Sequence, residues 1–218
     1  MNTELNPSWT LNSRLWLVLD HEASAPRNAA VACALALSGG VDAVLCRLRN
    51  IDDESRRSIA LQARRSCRAY KVPFVVSHDS ELARLTEADG IQFGKADGEL
   101  HELAGKAAET GEGIPWGYSA HSVEEAQAAL DAGAAWVFLG PVFSTAEKLQ
   151  YGDPLGLDAV LDALETDQPE HFIFIGGIDS ANLGKLTALG VRRIAAISAL
   201  QRNVDPAAAA QQLRRLLG

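Results

Sequence analysis

The residues whose types and spacing could do chemistry cluster late in the chain, where three short apolar runs each end in small, hydrogen-bonding residues. The second of these runs ends in Gly176-Gly177, followed by Asp179-Ser-Ala-Asn182, and the third ends in Ser198. Glycines lack the Cβ that keeps a ligand from main-chain N–H groups, and Asp-Ser-Ala-Asn reads as the cap of a new helix. N–H groups converging beside the positive end of a helix dipole favour an anion. Gly176 and Gly177, with the Ser198 hydroxyl from the next strand, therefore form an expected phosphate site. An ordinary tight strand-to-helix turn would account for one such end, but two in succession favour the anion.

Other polar residues fall just after apolar runs: Asp20 and His21, Arg47 and Arg49, Ser77 and His78, Gln92, Asp97, Ser119 and His121, and Thr145, Glu147 and Lys148. Histidine titrates near neutral pH and shuttles protons, and His121, directly before a capping serine, is taken as the proton carrier. His21 and His78 read as solvated loop histidines. Arg47 and Arg49 share one face of an otherwise apolar run, and an arginine buried there needs an anionic partner. That partner is either structural, such as Asp20 or Asp97, or a substrate carboxylate. Lys148 lies near the phosphate site or is an ordinary surface lysine. Asp97, alone or with Asp79 or His78, could help hold Mg²⁺ beside a diphosphate, or simply start a helix.

The elements that must position these residues alternate regularly. Apolar runs at 14–20, 43–49, 73–77, 90–94, 114–119, 135–143, 171–175 and 193–200 are expected strands, and the segments between them carry helix signals. Helices are expected over 28–37, 52–69, 79–88, 97–110, 122–133, 157–164, 180–189 and 205–217, with Ser122 and Glu125 forming a capping box. Alternation of this kind means parallel strands with right-handed crossovers, and eight units close a single-domain (β/α)₈ TIM barrel whose site lies at the C-terminal strand ends. The barrel is expected over 14–218, with 1–13 as a lead-in. A doubly wound sheet is disfavoured, since no GxGxxG follows the first strand and the anion signature comes late.

Composition narrows the function classes. The chain has 218 residues, 47% of them hydrophobic, and a formal net charge of −8, which argues against general nucleic-acid binding. Cys33, Cys46 and Cys67 are odd in number and widely spaced, which fits core thiols rather than a disulfide framework or zinc site. With neither a signal-peptide pattern nor an apolar run of about 20 residues, a cytoplasmic setting is expected.

The assembled residues resemble the thiamine-phosphate synthases and their thiazole tautomerase relatives. The resemblance is densest in Gly117-Tyr-Ser-Ala-His-Ser122, Gly140-Pro-Val-Phe-Ser-Thr145, Ile175-Gly-Gly-Ile178 and Ala196-Ile-Ser-Ala-Leu200. The synthases join a pyrimidine diphosphate to a thiazole phosphate. The resemblance implies that Gly177 and Ser198 hold the thiazole phosphate, that Ser119, Thr145 and Lys148 lie near the diphosphate, and that Gln92 and Ser77 line the substrate site. It also implies Mg²⁺ at Asp97 if the chain is synthase-like.

Several family positions differ. Gln-x-Arg-x-Lys on strand two reads Arg47-Leu-Arg49-Asn-Ile51, and Asn-Asp after strand three reads Ser77-His78. Thr-x-Thr-Lys reads Thr145-Ala-Glu147-Lys148, and a carboxylate ~4 Å from a phosphate oxygen costs roughly 1–4 kcal/mol. The main expectation is therefore a tautomerase-like isomerase that needs no cofactor, with His121 moving a proton and Arg47 or Arg49 pairing with a substrate carboxylate. The alternatives are a divergent Mg²⁺-dependent synthase and a non-catalytic phosphate-binding or regulatory protein. The expected partner is a small phosphorylated thiazole, with neither nucleic acid nor membrane, and a homo-oligomer is compatible with the pattern.

Overall fold

Eight of the apolar runs become strands: β1 (Leu15–Leu19), β2 (Ala43–Cys46), β3 (Phe74–Ser77), β4 (Gly90–Gly94), β5 (Trp116–Ala120), β6 (Trp136–Leu139), β7 (Phe172–Ile175) and β8 (Ile194–Ala196). Each pairs in parallel with its neighbours in chain order, and β8 returns to β1, closing a (β/α)₈ barrel in this computed structural model. The structure describes residues 8–111, 113–144 and 153–218; the expected ligand contacts Thr145 and Lys148, with Glu147, lie outside the described residues.

The strands are almost entirely buried because their outer faces meet helices α1 (Trp9–Asn12), α2 (His21–Ser24), α3 (Ala29–Ser38), α4 (Asp53–Tyr70), α5 (Ser80–Thr86), α6 (Leu100–Ala108), α7 (Val123–Asp131), α8 (Gly156–Leu164), α9 (Leu183–Ala188), α10 (Ser198–Gln201) and α11 (Pro206–Leu217). Side-chain caps fix where several of these begin: Asn28 accepts from Ala30 N–H, Asp52 from Ser55, Asp79 from Leu82, Ser122 from Glu125 and Asp205 from Ala207 and Ala208.

Several expected strands and helices are shorter than their sequence patterns. β2 ends at Cys46 rather than at residue 49, although Arg47 N–H still donates to Leu19 O at 2.9 Å. β6 ends at Leu139, just before Gly140, where a Cβ would stand 2.1 Å from Ile175 O and only glycine fits. β8 ends at Ala196, and the residues expected to extend it turn into α10. The helix expected from 97 begins at Leu100, after a 3₁₀ turn over Lys95–Asp97. The helix expected from 180 begins at Leu183, after Asp179 has accepted from Ala181 and Asn182 N–H.

The barrel interior is closed at its N-terminal end by three indoles. Trp9 of α1 stacks at centroid separations of 6.0 Å from Trp16 and 5.3 Å from Trp136. Trp136 Nε1 donates to Gln92 Oε1 at 2.6 Å, and Gln92 Nε2 donates to Ser119 Oγ at 3.0 Å, so a polar chain rises from this plug to the opposite rim. Gly117 makes room for it, since a Cβ there would lie 2.1 Å from Trp136 Nε1 and 2.5 Å from Gln92 Oε1. Gly117→Ala is expected to cost about 3 kcal/mol through overpacking, read as a lowered urea midpoint. An unchanged midpoint would refute this packing.

The three cysteines are buried and free. Burial pushes the Cys46 and Cys67 thiols up, so both stay protonated as core groups. Among the described residues, no helix is long and apolar enough to cross a membrane.

Candidate active site

The β7 and β8 ends lie side by side. Phe174 pairs with Ile194 and Ile175 with Ala195, and carrying that register onward sets Gly177 beside Ile197. Gly176 and Gly177 take φ values of 102° and 65°, which only glycine adopts without strain. They turn tightly beneath the β6 exit: Phe143 N–H donates to Gly176 O at 3.0 Å, and Asn182 Nδ2 donates to Gly177 O at 2.7 Å. Both carbonyls are thus occupied. No acceptor among the described residues pairs with the N–H groups of Gly177 or Ser198. Ser198 opens α10, so its N–H and hydroxyl emerge at a strand end beside the N–H of Gly177. The expected phosphate residues are thus brought to one place, with the donors an anion needs.

Next round the rim, Ser119 is half-buried, and its oxygen accepts from Gln92, leaving the hydroxyl proton free to donate. Gln92 itself is completely buried and bonded on both sides, so it orients Ser119 from beneath the rim and presents no surface to a ligand. Ser77, the last residue of β3, is half-buried at the same level, paired in register with Gln92. His121 follows β5 with an exposed side chain. Its N–H donates to Glu125 Oε2 at 2.7 Å, and its Nδ1 lies 3.9 Å from the same oxygen. Glu125 Oε1 accepts from Tyr118 O–H at 3.0 Å. Burial, then that hydrogen bond and the negative charge of Glu125, push the Tyr118 phenol up, so it remains a donor.

Arg47 has the structural partner that was one of its two expected alternatives: its guanidinium bonds Asp20 Oδ2 at 3.1 Å. Asp20 also caps α2 through Ala23 N–H. Arg49 lies beyond β2 and is exposed, so the two arginines do not share one strand face. Behind Asp20 stands Gln201, fully buried, which accepts from Asp20 N–H at 3.0 Å and Ser24 Oγ at 2.7 Å and donates to Val18 O at 2.7 Å. It welds α10 to β1 and so fixes where Ser198 emerges. Sequence reasoning missed Gln201, since its partners are nearly the whole chain away.

The direct contact of His78 with Asp97 was missed as well. His78 is held by a specific partner rather than solvated: Nδ1 lies 2.5 Å from Asp97 Oδ2, which also accepts from Gly94 N–H at 2.7 Å. The signal was the retention of Asp97 where the neighbouring family carboxylate has become His78. Burial alone would raise the Asp97 carboxyl, but the hydrogen bonds from His78 and Gly94 and the charges of His78 and Lys106 outweigh it and hold Asp97 below the usual carboxylate range. Asp97 is therefore an acceptor, and Nδ1 of His78 carries the proton. Asp79, the other expected metal carboxylate, caps α5 and pairs with Arg56 at 3.0 Å. Among the described residues, no group of three or more His, Cys, Asp or Glu side chains is arranged to hold a metal. Asp97, with two N–H groups on one of its oxygens, and Asp79, turned to Arg56, are a poor fit for Mg²⁺.

The family described as thiamine monophosphate synthase matches residues 15–200 of this sequence. The chain belongs to the thiamine monophosphate synthase family. Within it, the chain is 34% identical over 181 residues to a thiamine-phosphate synthase of Geobacillus kaustophilus (strain HTA426), covering 82% of this chain and 80% of that protein. It is 32% identical over 206 residues to one of Clostridium novyi (strain NT), covering 94% and 99%. Among solved structures, a thiamine phosphate pyrophosphorylase from Pyrococcus furiosus superposes with a TM-score of 0.82 at 26% identity, over 95% of this chain and 96% of that one. A 3-hexulose-6-phosphate synthase from Salmonella typhimurium, at 18% identity and a TM-score of 0.68 over 94% and 98%, shares the fold alone.

Proposed function

We propose that this chain is an enzyme of thiamine biosynthesis that seats a thiazole phosphate at the β7 and β8 ends and joins it to a pyrimidine diphosphate, releasing pyrophosphate. The carrying observation is the pair of adjoining strand ends whose Gly177 and Ser198 N–H groups lack acceptors among the described residues. A phosphate dianion there gains charge-assisted hydrogen bonds. Likeness along nearly the whole chain to synthases of two bacteria supports the joining reaction. Ser119, with its proton free, is placed to donate to the second substrate across the rim.

A second reading, the proton shift on a thiazole carboxylate phosphate, is favoured by the exposed His121 imidazole beside Glu125. In that reading Glu125 fixes the His121 main chain, and the ring carries the proton. Incubating the purified chain with thiazole phosphate and pyrimidine diphosphate is expected to release pyrophosphate. Isomerisation of thiazole carboxylate phosphate without the pyrimidine would establish the second reading instead, and ligand binding without either turnover would make the chain a binding protein. Under the second reading, His121→Asn is expected to lower turnover by about 10²- to 10⁴-fold with little change in KM. Full turnover by the variant would remove His121 from the mechanism.

A further inference from the structure

We infer that the contact between His78 and Asp97 takes the place of a divalent-metal site, so that the rim of this chain works without Mg²⁺ at Asp97. The inference rests on the hydrogen bonds of Asp97 and Asp79 and not on which reaction runs there.

Magnesium demands near-octahedral oxygen coordination and gives up its water reluctantly, so it is bound through one or two carboxylates with open lone pairs, completed by water and substrate phosphates. Asp97 offers at most one oxygen for this. Its Oδ2 receives N–H groups from Gly94 at 2.7 Å and from His78 at 2.5 Å, and the side chain is only 15% exposed. Lys106, bonded to the Asp97 main-chain carbonyl and 3.7 Å from Glu102, adds a cation on the same side. A second carboxylate is not at hand: one oxygen of Asp79 caps α5, and the other faces Arg56, which is shared with Asp53 at 2.7 Å.

Imidazole suits zinc, copper and iron, whereas magnesium prefers oxygen donors. His78 is also held in place by its backbone: its φ is 62°, and its N–H donates to Gln92 O at 2.9 Å. A Cβ on Gly94 would come within 3.3 Å of His78 Cε1, so glycine there gives the ring its seat. The ring is 44% exposed, so an imidazole faces the rim at this strand end.

The test needs no substrate. Calorimetric titration of the full chain with MgCl₂ alone, in the millimolar range, is expected to give no saturable heat, and the melting temperature is expected to be the same with and without the salt. His78→Asp, its fold checked by circular dichroism, is expected to acquire saturable magnesium binding. Saturable binding by the unaltered chain that disappears in Asp97→Asn would overturn the inference. So would a folded His78→Asp that gains no magnesium binding, since His78 would then not be what stands in the metal's way. Neither result touches the joining reaction, which the pyrophosphate assay decides separately.

Discussion

Gly177→Ala is expected to weaken binding of thiazole phosphate by roughly 10²- to 10³-fold while leaving the barrel folded. At a φ of 65°, an alanine carries a backbone penalty of about 1–2 kcal/mol. The new Cβ would also stand 2.9 Å from both Phe143 O and Ser144 O, which are main-chain atoms that cannot swing aside. The turn must therefore shift, taking its N–H away from the anion. A lost hydrogen bond to a charged group is worth about 1.5–3 kcal/mol, and with the strain the total reaches the stated range. Gly184→Ala is the control: it lies in the neighbouring α9, where an added Cβ meets no atom within 4 Å, and it should bind as the unaltered chain does. Calorimetry with the thiazole phosphate reads both. Equal affinities for the two variants would place the anion elsewhere.

That site was legible in outline because its signals are local. A double glycine after an apolar run, an Asp and an Asn in helix-capping positions, and a serine after the next run are each visible from their own immediate neighbours. The same holds for the barrel, since alternating buried runs and capped helices leave few other topologies. Strand lengths were less legible, because hydrophobicity continues past the point where pairing stops. Ile197 to Leu200 reads as strand, yet it turns into α10, whose Gln201 bonds Val18 of β1 and Asp20 just after it. Such a bond, 181 residues apart in the chain, leaves no local trace.

Charged residues on the rim were legible in type but not in pairing. Arg47 asked for an anion, and the structure supplies Asp20. His78 looked like a loop residue, and only the closed barrel brings it to Asp97. The two cases differ in consequence. Arg47 with Asp20 and Gln201 is a scaffold behind the phosphate end, whereas His78 with Asp97 changes what chemistry the rim can host.

At the opposite end of the barrel, Arg193→Met should produce the largest loss of stability. Arg193 sits at the start of β8 with 6% of its surface exposed, donating from Nε to Ser13 O at 3.0 Å and from its terminal nitrogens to Glu170 O and Thr10 O. One guanidinium thus ties the turn before β1, the end of the α6-to-β7 half of the chain and β8 into a single floor. Burial lowers its pKa to about 10, with the Glu170 charge pulling the other way, so it stays charged at neutral pH. Two effects compete in the variant. Removing a buried charge relieves desolvation, and where both partners of an ion pair are replaced this relief can be stabilising. Here the partners are main-chain carbonyls that cannot be removed, and methionine offers them nothing. Three acceptors stranded at about 1–3 kcal/mol each outweigh the relief, for a net loss of about 3–5 kcal/mol. For a chain of this size, that corresponds to a melting temperature lower by about 6–20 °C. Because Thr10 lies within α1, the same substitution should loosen Trp9 from Trp16 and Trp136, shifting indole emission to the red below the main transition. A melting point within about 2 °C of the unaltered chain would show that the floor is held by the three indoles and not by the arginine.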